Sequence, residues 1–340
     1  MATYYVDGAV GNDSNAGTSA GSGNAWATIS KALSVAVGGD RVWVKASATY
    51  SISTGLTGGG AAYNSHVRYE AYTSTTGDGG RATIQATAAI TMWSATSDGY
   101  EVVGFIFDGN SVSTKFASTS GTFGGSLFAR CKFINGASSA YAFTLQAGTT
   151  MIGCEVGGTT STTGLLQDSG GSMFRGNYFH DNAAPWIVKA TGTGGLGFFG
   201  NVLDTNAGAN RDGLVLDSVY RPHIVGNTFY GQGRHGVSFA GFWTPAGYTL
   251  MNNIFVSCGG YGVSNGGGYG PGWASEAVDY NAFYNNTSGA RNGLTAGAHD
   301  VTLSADPFTD AANGDFSLNS TSGGGAALKG MGFPATFPVT

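Results

Sequence analysis

Residues able to move protons or hold charge concentrate in the middle of this chain. Lys and Arg number 15 and Asp and Glu 20 in 340 residues, so any such concentration stands out. The segments NRDGLVL (210–216), GRHGVSF (233–239) and GGYGVSN (259–265) align with one another. That alignment stacks Asp212, His235 and Tyr261, with Arg211 and Arg234 beside them. His180, Asp204 and Tyr230 fall at one position of a second set of aligned segments, and Lys189, Asp217, Arg221 and His223 lie in the same stretch. Two chemistries could use these groups. In β-elimination on a uronate chain, an Arg neutralises the carboxylate, His235 takes the proton and Tyr261 supplies one. In glycoside hydrolysis two carboxylates flank the bond, and Asp204 with Asp212 or Asp217 are the candidates. The plain alternative is a solvated polar face.

Aromatic residues add a binding reading. Trp243, in FAGFWTPAGY, and Tyr269, in GGGYGPGWAS, each lie 14 residues past an aligned Phe and project from one edge, with Trp186 and Trp273 nearby. Flat rings beside polar groups such as Lys189 form platforms for the C–H faces of sugars. Packing of loops onto the body would use the same residues.

What positions all of these is a repeat. GNYFHDN (176–182), GNVLDTN (200–206), GNTFYGQ (226–232), NNIFVSC (252–258) and YNAFYNN (280–286) are variants of one heptapeptide. Earlier copies are GFIFDGN (104–110), RCKFING (130–136) and GCEVGGT (153–159). Their fourth residues, from Phe107 to Phe283, are spaced by 26, 23, 23, 24, 26, 26 and 28 residues. Such a period, with β-branched and aromatic runs at two-residue alternation and no helical spacing, specifies a β-solenoid. Asn177, Asn201, Asn227, Asn253 and Asn281 share the face of the apolar column, which predicts an inward amide ladder bonded to itself and to the turns. Lys132 and Glu155 should pair outside it. Tyr178, Val202, Thr228 and Ile254 form an outward apolar column that a loop or a second subunit must cover, and a lateral homotrimer is one such arrangement.

Composition agrees. Gly at 59 residues serves tight turns, while the net charge of −5 and the lack of a basic run argue against nucleic acid. No apolar run is long enough to insert in a membrane. Met1-Ala2 leads straight into a strand with no secretory signal, which suggests a mature form or release by lysis with a virus particle. Cys131 and Cys154 sit one coil apart in the inward column, where a disulfide is geometrically conceivable, and they read as buried thiols acting as small apolar residues. Acidic residues are too dispersed for a metal site; no cofactor is expected, and calcium is left undecided.

The chain resembles the right-handed parallel β-helix proteins of the pectate-lyase-like superfamily. Tyr4–Leu33 is similar to the family's opening strand, loop and capping helix, GGDRVWVKASATY (38–50) to its first coil, and ADPFTDAANGDFSLNSTSGGGAALKGMG (305–332) to its closing segment. The resemblance implies one all-β domain of roughly eleven coils: a cap over 1–37 with Trp26, Ile29, Leu33 and Val37 on one helical face, a body over 38–290 and a closing segment over 291–340. Polygalacturonase-like members draw catalytic acids from Asn-Thr-Asp, Asp-Asp and Gly-His-Gly motifs. Here the corresponding places read NRD, GRH and GYG, and only Asp212 matches. The function expected is therefore a surface-exposed, carbohydrate-recognising protein of the tailspike, virion-appendage or adhesin type, extracellular or on a virion, binding a polysaccharide or cell-surface glycan. A polysaccharide lyase or glycoside hydrolase is the alternative.

Overall fold

The structure, a computed structural model, describes residues 1–58, 65–95, 99–112, 115–119, 125–146, 148–192, 194–206, 208–241, 247–266 and 277–332. Three long parallel sheets of eleven, ten and eleven strands run its length, forming a right-handed parallel β-helix. Each turn gives one short strand to each sheet in sequence order, as in Met173–Arg175, Tyr178–His180 and Trp186–Thr191. Successive turns stack in register: Phe179 pairs with Leu203 and that with Phe229. Ten turns reach all three sheets, fewer than the eleven anticipated, because Thr3–Asp7 belongs to the cap and adds to the first sheet alone. Eight of them, from Tyr100 to Asn292, are the regular body in which the repeat is visible.

The heptapeptide is explained by its backbone. Its third to fifth residues are the strand of the second sheet, and its first and sixth turn the chain in the left-handed region. Gly176, Gly200 and Gly226 have φ of 62°, 61° and 70° at the first position, and Asp181 and Asn285 each have φ of 50° at the sixth. Glycine, Asn and Asp tolerate that conformation best, which is why they punctuate the motif. The second-position asparagines form the expected ladder. Asn177 Nδ2 donates to Asn201 Oδ1 at 2.9 Å, and the Asn201–Asn227, Asn227–Asn253 and Asn253–Asn281 steps are each 3.0 Å. Each amide also donates to a main-chain carbonyl of the preceding turn, such as Phe198 O for Asn227 at 2.8 Å. The ladder ends where Asn281 Nδ2 meets Asp300 Oδ1 at 3.2 Å. Beside it the fourth-position rings stack face to face, with Phe229 and Phe255 centroids 5.0 Å apart and Phe255 and Phe283 5.2 Å apart. Cys131 and Cys154 are free, buried thiols.

The ends close differently. A helix over Ile29–Val35 caps the first turn, with Thr28 Oγ1 accepting the Lys31 N–H at 3.1 Å. Trp26, Ile29 and Leu33 are buried as expected, but the helix stops before Val37, which is 56% exposed while Ala36 takes the buried place. At the other end Gly289–Asn292 and Val301–Thr302 carry the third and second sheets past residue 290. The closing segment then forms an antiparallel pair, Phe308–Asp310 with Asp315–Leu318, and folds back along the outer face of the second sheet. Phe316 packs against Tyr178 and Tyr230 at ring distances of 6.2 and 5.5 Å, and Ile254, Tyr284 and Leu318 join the same cluster. Two members of the outward apolar column, Tyr178 and Ile254, are thus covered from within the chain.

Candidate functional site

The third sheet positions the polar cluster. Its register places Trp186 against Asp212 and, through the pairing of Leu214 with Val237 and Val237 with Val263, brings His235 and Tyr261 into the same column. The stack drawn from the aligned segments therefore exists, but its members are committed to one another. Asp212 is fully buried. Its Oδ1 accepts from Arg234 Nε at 2.8 Å and from the His235 N–H at 3.0 Å, and its Oδ2 takes Arg234 Nη2. The Asp212 hydrogen bonds push the guanidinium further up. His235 Nδ1 accepts the Tyr261 N–H at 3.0 Å, and the two rings stack 5.8 Å apart. Burial lowers the His235 pKa. The neutral ring therefore carries its proton on Nε2 and presents a donor, not a base. Asp212 takes Nε and Nη2 of Arg234, so only the remaining Nη1 side of the guanidinium could meet a uronate carboxylate.

Beside this column lies a groove of about 560 Å³ along the corner between the second and third sheets, lined by Ser138, Thr160, Ser161, Thr162, Asn210 and Arg211. Hydroxyls dominate its floor, and Arg211 is its one charged lining residue. Pro185, in the same wall, leads into Trp186. Trp186 leans over Gly164, where any Cβ would collide with the indole, and faces Tyr141 at 6.4 Å. Lys189 Nζ lies 5.2 Å over the Trp186 ring and bonds Asp217 Oδ2 at 2.8 Å. Trp186, Lys189 and Arg211 thus join Arg234, His235 and Tyr261 along one edge.

Two other groups of candidates fall elsewhere. His180, Asp204 and Tyr230 do align, on the second sheet, but the closing segment packs over Tyr230. Asp204 accepts from Tyr178 at 3.1 Å and from Thr205 at 2.7 Å, and His180 lies between Glu155 and Asp181. Glu155 also pairs with Lys132 at 2.6 Å, as expected. Asp204 and Asp212 sit on different sheets, and Asp212 is sealed. That arrangement does not suit two carboxylates flanking one glycosidic bond. Arg221 and His223 leave the cluster for the first sheet. Trp243, Tyr269 and Trp273 lie outside the described residues. Sequence reasoning missed Tyr141 beside Trp186; its pairing with Gly164 lies outside the heptapeptides that gave the alignment. It also missed a second inward polar column at the motif's seventh position, Asn182, Asn206, Gln232, Cys258 and Asn286, all buried or half-buried. Among the described residues no group of three or more His, Cys, Asp or Glu side chains could hold a metal ion.

The three stacked parallel sheets define a right-handed parallel β-helix. The chain belongs to the right-handed β-helix region family, whose model matches residues 117–288. No curated protein matches it in sequence. Among solved structures, pectate lyase Pel9A is similar at 14% identity and a TM-score of 0.55, over 91% of this chain and 83% of that one. A rhamnogalacturonan lyase is similar at 14% identity and a TM-score of 0.45, over 87% and 74%. The PL6 family polysaccharide lyase Pedsa3628 from Pseudopedobacter saltans is similar at 13% identity and a TM-score of 0.45, over 86% and 94%. At 14% identity the likeness to Pel9A is one of fold.

Proposed function

We propose that this protein binds a polysaccharide along the edge where the second sheet passes to the third, and that it does so without cleaving it. The observation carrying this reading is the Tyr141–Trp186 pair, 6.4 Å apart, standing beside a hydroxyl-lined groove that spans four turns. Aromatic faces take the C–H side of pyranose rings, while Ser and Thr hydroxyls both give and accept hydrogen bonds. Binding without chemistry fits the engagement of Asp212, Arg234 and His235 with one another. The setting we propose is a surface-exposed protein, tailspike or adhesin in type, located outside the cell or on a virion; a trimeric mass in solution would favour the virion type.

The second reading, β-elimination or hydrolysis on the same face, has in its favour the stacked His235 and Tyr261 rings. It requires His235 to release the Tyr261 N–H before it can act as a base. Incubation with a polysaccharide panel, following binding and cleavage together, separates the two. Binding without new reducing ends or unsaturated-product absorbance, weakened about tenfold by Trp186→Ala for a loss of ~1.4 kcal/mol, is the expected result. Cleavage abolished by Arg234→Ala/His235→Ala would establish an enzyme and sink the binding-only reading.

A further inference from the structure

Beside the groove, charge on the third-sheet face is held in ion pairs, and this bears on which glycan the edge accepts; Lys115, one turn before Tyr141 in the same column, has no ion pair among the described residues. Lys189 is held by Asp217 at 2.8 Å and covers the Trp186 ring. Arg234 is held by Asp212 through two guanidinium nitrogens. Opening the second pair would strand a fully buried carboxylate, a change that costs several kcal/mol in proteins generally. The two cations and two anions cancel, and His235 adds no charge in its neutral form. Arg211 is the one cation among the residues that line the groove, and its guanidinium lies along Gly208 of its own loop.

A polyanion carrying a charge on every sugar would therefore meet one lining cation along the four turns of the groove and Lys115 one turn beyond, on a protein whose net charge is −5. Electrostatic steering would oppose it at long range, and no run of cations would reward it at contact. A neutral chain meets no such conflict. His235 Nε2–H is a donor and the Tyr261 hydroxyl works in both directions, while the Ser161 and Thr162 hydroxyls of the groove give their protons to main-chain carbonyls and can only accept. The Asp217 carboxylate, already neutralised by Lys189, can accept from sugar hydroxyls. From these paired charges we infer that the edge selects neutral polysaccharides over acidic ones. This rests on the proposed glycan-binding role.

The test is affinity gel electrophoresis of the whole chain in gels containing a neutral β-glucan or galactan, or polygalacturonate or alginate, at 20 and 500 mM NaCl. Retardation by a neutral polymer, changing less than twofold between the two salts and lost in Trp186→Ala, is the expected result. Retardation by the acidic polymers alone, falling tenfold or more in high salt, would overturn the inference while leaving glycan binding intact. No retardation in any gel would overturn both. The variant Asp217→Asn, which releases Lys189, is expected to gain retardation in the acidic gels. If it gains none, the ion pair does not set the preference and the inference falls.

Discussion

Replacing Asp168 by Asn is expected to stabilise the solenoid above pH 6 and to leave it almost unchanged at pH 4. Asp168 ends a third-sheet strand with its side chain inside the coil, level with Leu145 and Ala190 on neighbouring turns. It is fully buried; Ser172 Oγ donates to Oδ1 at 2.5 Å, and Oδ2 has no partner. Burial pushes its pKa from 3.8 up to about 6, with Ser172 pulling weakly the other way. Well below pH 3.8 the carboxyl is protonated in both the folded and the unfolded chain and contributes nothing, and near pH 4 its effect is still small. Between 4 and 6 the unfolded chain ionises first, so folding is progressively penalised; above 6 the penalty is complete. A rise of that size is worth about 3 kcal/mol, at ~1.4 kcal/mol for each tenfold change in ionisation constant. Asn keeps the shape and the acceptor but cannot ionise. Melting temperatures of the two proteins at intervals from pH 4 to 8 should nearly coincide at the acid end and separate by on the order of 5 °C at the other. Parallel curves across that range would mean that Asp168 ionises as it does in the unfolded chain, and the argument from its burial would fail.

Three further outcomes follow from the packing. Asn227→Ala removes a ladder amide and strands the Asn201 N–H and the Phe198 carbonyl inside the coil, so a loss of about 3–5 kcal/mol is expected in guanidinium unfolding; less than 1 kcal/mol would show that the ladder is dispensable. Arg234→Ala leaves Asp212 buried with a charge and should cost ~3–5 kcal/mol at pH 7, most of it recovered in Asp212→Asn/Arg234→Ala. Phe316→Ala should loosen the closing segment, costing ~2 kcal/mol because the ring is only half-buried. It should also speed protease cleavage within 303–332 ahead of the body, and unchanged cleavage would place the hold on that segment elsewhere.

The body was legible because backbone demand and side-chain demand coincide in each heptapeptide: a left-handed turn, an inward amide, an inward ring. The seventh-position column was equally visible in the same five segments, but its types vary from Asn to Gln to Cys. What those positions share is inward placement at a turn and not one chemistry. Stacking of Asp212, His235 and Tyr261 followed from alignment alone. Their roles did not, because whether Arg234 reaches outward or down onto Asp212 is set by side-chain direction across two turns. The cover over Tyr178 was foreseeable as a need. That Phe316 supplies it depends on a contact between residues more than 80 positions apart, which no local pattern encodes.

Asp300 gives the molecule a direction of growth. In the ladder each amide hands its N–H to the oxygen of the next turn, so five dipoles point the same way, with their positive ends towards the C-terminus. Any asparagine added in line would take the proton offered by Asn281 and offer another in turn. Asp300 takes it at 3.2 Å, accepts the Asn281 N–H at 2.7 Å and binds Arg291 at 2.5 Å, but an ionised carboxylate has nothing to pass on. The repeat therefore carries its own stop signal, a single oxygen-for-nitrogen exchange relative to Asn. Lengthening such a coil by duplication would have to insert new turns before this residue.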